Sequence, residues 1–179
     1  MKPTGKVALG GVLAALSLTF MLLTFFPFAT YALPAIAGAV LIPFVVEVNA
    51  KSAWLVYAAV AILSLFISPD IEAKTLFISL FGYYPILKSL LERIRSRRLE
   101  WVLKLAVFNI AVVVSYLLLL FVIGIDADSF GIVGKYAVYA MLAVGNIVFV
   151  LYDITLTSLI ALYMRTLHPR VFKMFNLKR

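Results

Sequence analysis

The stretch FGYYPILKSLLERIRSRRLEWVLK, residues 81–104, decides the fold that we predict for this chain. It begins inside one apolar segment and enters the next at Trp101, and between them lie Lys88, Arg93, Arg95, Arg97, Arg98 and Lys104. Lys and Arg near the ends of apolar spans stay on the cytoplasmic side of a membrane. This basic stretch therefore predicts the orientation of the chain, with three apolar segments before the one in which it begins and two after it.

The composition indicates an integral membrane protein. The chain has 179 residues, of which 65% are hydrophobic and 13% are charged, and its mean hydropathy is +1.11. Several stretches approach the roughly 20 apolar residues that cross about 30 Å of hydrocarbon as a helix. The net charge of +8 lies in loops and at the chain ends, where anionic lipid headgroups are found. We therefore expect contact with membrane lipids and no nucleic-acid partner.

The apolar segments predict an all-α membrane protein, a single domain over residues 1–179. The six transmembrane helices are expected at residues 6–26, 31–48, 52–67, 73–91, 101–124 and 136–165. The first segment is longer than the apolar core of a signal peptide, so we interpret it as a retained helix. The second contains Pro34 and Pro43. Because prolines free backbone carbonyls that must find partners elsewhere, we expect this segment to be bent and packed inside the protein.

The distribution of charge supports an even number of spans. With six helices, both termini share one side with the basic stretch, and of all Lys and Arg residues only Lys74 and Lys135 fall on the other side. That other side carries the acidic residues Asp70, Glu72, Asp126 and Asp128. An odd number of spans would remove this separation. The pattern predicts a multi-pass protein of the cell membrane with cytoplasmic N- and C-termini.

The sequence is poor in catalytic residues. His168 is the single histidine, and cysteine is absent, so the zinc-ligand sets of membrane metalloproteases cannot form. Gly134 and Lys135 resemble the end of a phosphate-binding loop, but Ser129 stands where that motif requires its first glycine. We therefore expect neither enzymatic activity nor a metal or other cofactor.

Asp153 is the one acidic residue placed inside an apolar helix. A charged side chain at that depth costs about 3 kcal/mol and needs a partner. Lys88 is the favoured partner, and Asn109 completes the polar cluster that we expect there. Two interpretations remain open. The residues form either a buried Lys–Asp pair that fixes helix packing or a polar wall or relay.

Small residues recur in the first helix, where Gly10 and Ala14, and Gly11 and Ala15, are four residues apart. This spacing allows another helix to approach closely. The contact is made either within the bundle or with a partner protein.

Aromatic residues gather toward the predicted outer face. They form either an interfacial belt, which requires no function, or the wall of a small-molecule pocket closed by the short turn at residues 27–31. The candidate substrate-binding residues of such a pocket are Phe28, Tyr31, Tyr83, Tyr84, Tyr116, Tyr139 and Asn146.

The chain resembles the substrate-binding S components of the energy-coupling factor (ECF) transporters, small membrane proteins that capture vitamins. The resemblance lies in the size, the six predicted helices with both ends inside, the first helix KVALGGVLAALSLTF at residues 6–20, the short first outer loop and the GYYP of residues 82–85. It implies an outward-facing substrate site made by the first outer loop and helices four to six. It also implies partners for ATP-driven uptake, namely a transmembrane coupling protein and two ATPases.

A second class of function stays open. A non-transporting scaffold or sensor, similar to the small polytopic cell-shape protein of the MreD type, would bind other proteins through its basic loop and would bind no solute. Binding of a small molecule distinguishes the two classes.

Overall fold

Four long helices dominate the fold. The computed structural model describes residues 3–26, 29–123 and 134–174, and within them the chain is helical, with no β-strand. The long helices are α1, α4, α7 and α8, defined as Pro3–Leu22, Ala50–Ile67, Arg97–Ile123 and Gly134–Thr166. All four are long and apolar enough to cross a membrane, which suggests a membrane-spanning protein.

The first of two broken apolar segments follows α1 and a 3₁₀ turn at Leu23–Phe25. It consists of α2, Ala32–Ala39, and α3, Ile42–Glu47. Pro43 lies in the first turn of α3. The N–H groups of a first turn have no partner within the helix, so the proline costs no intrahelical hydrogen bond there. The bend expected from the two prolines is present, and the segment predicted at 31–48 is two helices.

The second broken segment contains a π-helical turn. It begins with α5, Ile71–Leu76, continues through the π turn at Phe77–Phe81 and ends with α6, Tyr84–Leu91. The N–H of Gly82 donates to the carbonyl of Phe77 over 2.8 Å, a bond that spans five residues. The span predicted at 73–91 is therefore not one continuous helix. The extra residue in the turn changes which side chains of α6 face inward.

Glycine allows the two broken segments to touch. A Cβ atom on Gly38 of α2 would overlap the backbone carbonyl of Phe81 in the π turn. The hydroxyl of Ser17 in α1 donates to the carbonyl of Ala37 over 2.9 Å and attaches α1 to the same place. The π turn therefore approaches the backbone of α2 directly at Gly38.

The remaining helices pack around this centre. α1 packs against α2 and α4, and α7 packs against α8 and the π turn. A final short helix, α9, covers His168–Met174. The main core joins α6, α7 and α8 through Tyr84, Phe108 and Phe149, which are all buried. Much of α8 remains exposed, as expected of a helix that faces lipid.

Candidate functional site

Asp153 on α8 is the centre of a buried ionic cluster. Its Oδ1 accepts hydrogen bonds from the hydroxyl of Tyr84 and from Nζ of Lys88, each over 2.6 Å. Its Oδ2 accepts from Nζ of Lys104 over 3.1 Å. Only 3% of Asp153 is exposed. The Lys88–Asp153 pair expected from the sequence is thus present, and it is shielded from lipid.

Two glutamates extend the cluster toward solvent. Nζ of Lys88 lies 2.7 Å from Oε1 of Glu92, and Nζ of Lys104 lies 2.7 Å from Oε1 of Glu100. The Glu92 side chain is 38% exposed, whereas both lysine side chains are buried. The ring of Trp101 lies 5.2 Å from Nζ of Lys104. We use "ionic cluster" for Tyr84, Lys88, Glu92, Glu100, Lys104 and Asp153, in which two ammonium groups face three carboxylates.

Helical spacing assembles these side chains. Tyr84, Lys88 and Glu92 follow one another at four-residue intervals along α6, and Glu100 and Lys104 are four apart on α7. Residues four apart share a helix face. α7 begins at Arg97, earlier than the predicted residue 101, so Glu100 is helical and reaches Lys104. From the sequence, Lys104 was assigned to the basic stretch, although Glu100, four residues before it, indicated an ion pair.

A second polar contact joins α7 and α8. Asn109 and Asn146 form a reciprocal pair in which each Nδ2 donates to the other Oδ1 over 3.0 Å. Each amide also donates to the carbonyl four residues earlier in its own helix. Asn109 therefore binds Asn146 rather than the Lys88–Asp153 pair with which the sequence analysis grouped it.

Aromatic packing separates the two polar contacts. Phe108 and Phe149 stack with their ring centroids 4.6 Å apart, and they lie along α7 and α8 between the amide pair and the ionic cluster. The described side chains therefore form no continuous polar path between the two. This geometry favours the first of the two interpretations, a buried pair that fixes how α6, α7 and α8 pack.

A cavity lies at the other end of α7 from the ionic cluster. Its volume is about 730 Å³, within the range of small-molecule sites. Val114 and Leu118 of α7 line it, and Leu118 is fourteen residues, about 21 Å by helix rise, beyond Lys104. The other lining residues come from α4, α5 and the π turn, and are Leu65, Ile71, Lys74, Thr75, Ile78 and Ser79.

The polar groups of this cavity are few. Nζ of Lys74 donates to the carbonyl of Leu65 over 3.2 Å, and the hydroxyl of Thr75 donates to the carbonyl of Ile71. The hydroxyl of Ser79 lies 2.6 Å from that of Ser115. An ammonium group has three donors, and the described residues take one of those of Lys74. Among the residues that the structure describes, the cavity thus has mostly aliphatic walls and one cation.

The aromatic residues predicted to bind substrate do not come together. Tyr84 is fully buried in the ionic cluster, and Tyr83 stacks on Trp54 with 5.9 Å between ring centroids. Tyr139 is 71% exposed on α8, and Tyr116 is half-buried on α7. None of these residues lines the cavity of α4, α5, the π turn and α7.

The remaining candidates are also spread apart. Asn146 is used by its amide pair with Asn109, and Phe28 lies outside the described residues, as does part of the predicted lid at 27–31. Tyr31 is exposed just before α2. Its partial burial and the nearby carboxylates of Glu72 and Asp70 raise the pKa of the Tyr31 phenol. The described candidates therefore form no common pocket, and the part of the prediction that includes Phe28 stays a prediction.

The small residues of α1 divide between two faces. Gly10 is buried, and a Cβ atom there would lie 3.1 Å from the Phe44 ring. Gly11 has open space around its Cα, and Ala15 is exposed, whereas Ala14 is half-buried. Both alternatives for the small residues thus have a matching surface: Gly10 and Ala14 face the bundle, and Gly11 and Ala15 face outward.

A third polar contact lies near the C-terminal end of α8. Oε1 of Glu47 accepts from the hydroxyl of Tyr163 and lies near Nδ1 of His168, each at 2.7 Å. The Glu47 side chain is 1% exposed. The single histidine, which carried no role in the sequence analysis, therefore attaches α9 to α3.

Comparisons with known proteins add no family. No protein-family model, curated protein or solved structure matches the chain. Among the described residues, no group of three or more His, Cys, Asp or Glu side chains has a metal-binding arrangement.

Proposed function

We propose that this protein captures a small molecule at its outer face for uptake with an ATP-driven partner, in the manner of an ECF-type S component. The observation that carries the proposal is the cavity of about 730 Å³ beside α5 and the π turn. It lies at the end of α7 opposite to the basic stretch, and a basic stretch is retained on the cytoplasmic side. A ligand would therefore reach the cavity from outside.

The proposed arrangement has six passes with both termini cytoplasmic. The four long helices supply four passes, and the broken segments α2–α3 and α5–π–α6 supply the other two. Contacts between segment ends support the alternation. Thr24 at the end of α1 meets Ser68 at the end of α4 over 3.0 Å, while Glu47 at the end of α3 meets Tyr163 near the end of α8.

The topology can be tested by cysteine labelling because the chain has no cysteine of its own. We expect a membrane-impermeant maleimide to label Glu72→Cys in intact cells and to label Arg95→Cys only after the membrane is opened. Glu72 is exposed in the first turn of α5 and Arg95 is exposed in the connection between α6 and α7, so both positions tolerate a small side chain. Labelling of both from the same side would rule out six passes.

The partner is proposed from the outward face of α1. Gly11 and Ala15 are exposed there, a Cβ atom on Gly11 would meet open space, and small residues four apart allow close approach of a second helix. A coupling protein that docks on this face should be lost on Gly11→Leu. Copurification of the coupling protein and its ATPases, compared between the native chain and this variant, measures the effect.

Ligand capture is tested by occluding the cavity. The protein is purified in mild detergent, and native mass spectrometry identifies any retained small molecule. Val114→Trp fills the cavity and should remove the ligand, whereas Val113→Trp, on a neighbouring exposed position that does not line the cavity, should leave it bound. The proposal is contradicted if the native protein retains no small molecule, both when the cells grow in ordinary medium and when the medium is supplemented with candidate solutes.

A scaffold or sensor is the second candidate, and the ionic cluster favours it. Glu92 and Glu100 lie on both sides of the connection between α6 and α7, and the buried lysines hold them in place. The exposed Arg93 and Arg95 lie in the connection between these two anchored glutamates, where a partner protein could reach them. A partner that is lost on Arg93→Ser and Arg95→Ser, together with no retained solute, would select this candidate.

A further inference from the structure

We propose that the ligand is a single-chain amphiphile with one carboxylate, such as a long-chain fatty acid, and that it enters the cavity sideways from the outer leaflet. This inference rests on the proposed function, since it names the substrate class of the same cavity. The geometry points to it through the walls of the cavity, its opening and the one cation among its described lining residues.

The walls suit a flexible alkyl chain. The described lining residues include Leu65, Ile71, Ile78, Val114 and Leu118, and none of these described residues is aromatic. Flat heterocyclic ligands are usually held by stacking on aromatic side chains, which supply rigid contact area. Branched aliphatic side chains instead cover an alkyl chain without fixing the plane of a ring. The cavity is therefore built for apolar volume rather than for an aromatic ligand.

The opening faces the bilayer rather than water. Leu65 is 50% exposed and Val114 is 43% exposed, and both lie on helices apolar enough to span a membrane. The exposed side chains at the cavity edge are thus those that would meet lipid tails. An amphiphile already dissolved in the outer leaflet can pass between α4 and α7 without leaving an apolar environment, so no desolvation of its chain opposes entry.

Lys74 provides the site for the head group. It is half-buried in the last turn of α5, and none of the described carboxylates forms an ion pair with it. Glu72, the nearest acid along the chain, lies at the phenol of Tyr31. Asp70 caps α5, where its Oδ1 accepts from the N–H groups of Glu72 and Ala73. The ammonium group therefore retains donors for a ligand, at the polar end of an apolar cavity.

The charge of the site suits a ligand with a single negative charge. One ammonium neutralises one carboxylate, and the hydroxyls of Thr75 and Ser79 are the other described polar side chains along the wall. A dianionic phosphate group normally draws several Arg or Lys side chains or a helix N-terminus. Lys also carries its charge to the interface on a long stem, which places it at the depth of a fatty-acid head group.

The test is direct binding by the full-length protein in nanodiscs of phosphatidylcholine. The probes are radiolabelled palmitate and hexadecanol, which differ in the carboxylate. Lys74→Gln removes the cation and keeps a donor for the Leu65 carbonyl, and Lys74→Arg restores the charge. Lys51→Gln, an exposed cation at the opposite end of α4, is the matched control. We expect palmitate to bind about tenfold or more tightly than hexadecanol, with this preference lost in Lys74→Gln and kept in Lys74→Arg and Lys51→Gln.

The outcomes separate this inference from the proposed function. Equal binding of palmitate and hexadecanol, or an unchanged preference in Lys74→Gln, overturns the carboxylate assignment. Retention of anionic phospholipid in place of palmitate overturns it as well, because the cavity is then a lipid-binding groove. A different solute that is retained by the native protein and lost in Val114→Trp also overturns the substrate class while the capture function stands. Absence of any retained molecule overturns both.

Discussion

Replacing Lys88 by methionine should destabilise the protein more than replacing its partner Asp153 by asparagine. The ionic cluster holds two ammonium groups and three carboxylates, so it already has one carboxylate in excess. Lys88→Met increases that excess and leaves Asp153 with Lys104 and Tyr84 alone. Asp153→Asn removes the excess charge and keeps an oxygen that accepts hydrogen bonds.

The expected magnitudes follow from these counts. Removal of one partner from a buried ion pair costs about 3–5 kcal/mol, because the other charge is left uncompensated. We expect this loss in the free energy of unfolding for Lys88→Met. For Asp153→Asn we expect about 1.5–3 kcal/mol, since the amide oxygen can still accept from Tyr84 and Lys88. Only the bond from Lys104 is lost, and Lys104 keeps Glu100 as its partner. A difference of about 2 kcal/mol corresponds to roughly a 30-fold change in the unfolding equilibrium.

The measurement is reversible unfolding in mixed detergent micelles, followed by tryptophan fluorescence and extrapolated to zero denaturing detergent. Lys51→Met, an exposed lysine, is the control and should stay within about 0.5 kcal/mol of the native protein. The double variant Lys88→Met with Glu92→Gln restores one excess carboxylate and should recover part of the loss. An Asp153→Asn effect larger than that of Lys88→Met, or a double variant less stable than Lys88→Met alone, would refute the charge count.

Two further predictions concern the packing of the bundle. Gly38→Ala should lower the free energy of unfolding by about 1–3 kcal/mol or more, because the added Cβ overlaps the backbone carbonyl of Phe81. Gly11→Ala, which has open space around it, should leave stability unchanged. Equal effects of the two in the same unfolding assay would contradict the close approach at Gly38. Asn109→Ala and Asn146→Ala should each destabilise the protein, and their effects should not add. We expect a coupling energy of about 0.6–1.7 kcal/mol in a double-mutant cycle. Additive effects would mean that the amide pair does not form.

The sequence by itself determined that the chain is helical and apolar enough for a membrane, and it identified the Lys88–Asp153 pair. Both follow from strong free-energy terms that act on single residues or segments. An apolar stretch of about 20 residues has a stable place as a membrane helix, and a lone carboxylate inside such a helix needs a cation. The bend of the second segment followed in the same way from Pro34 and Pro43.

The tertiary structure decided which side chains meet. These helices are apolar on all sides, so no periodicity marks their inward faces. The π turn at Phe77–Phe81 precedes α6, and Tyr84 at the start of α6 lies against Asp153 rather than in an outer pocket. The place of Lys104 in the ionic cluster was also not predictable from the sequence. Its charge suited the cytoplasmic surface equally well, and only the packing of α7 against α6 and α8 brought it to Asp153, where buried charges of opposite sign stabilise one another.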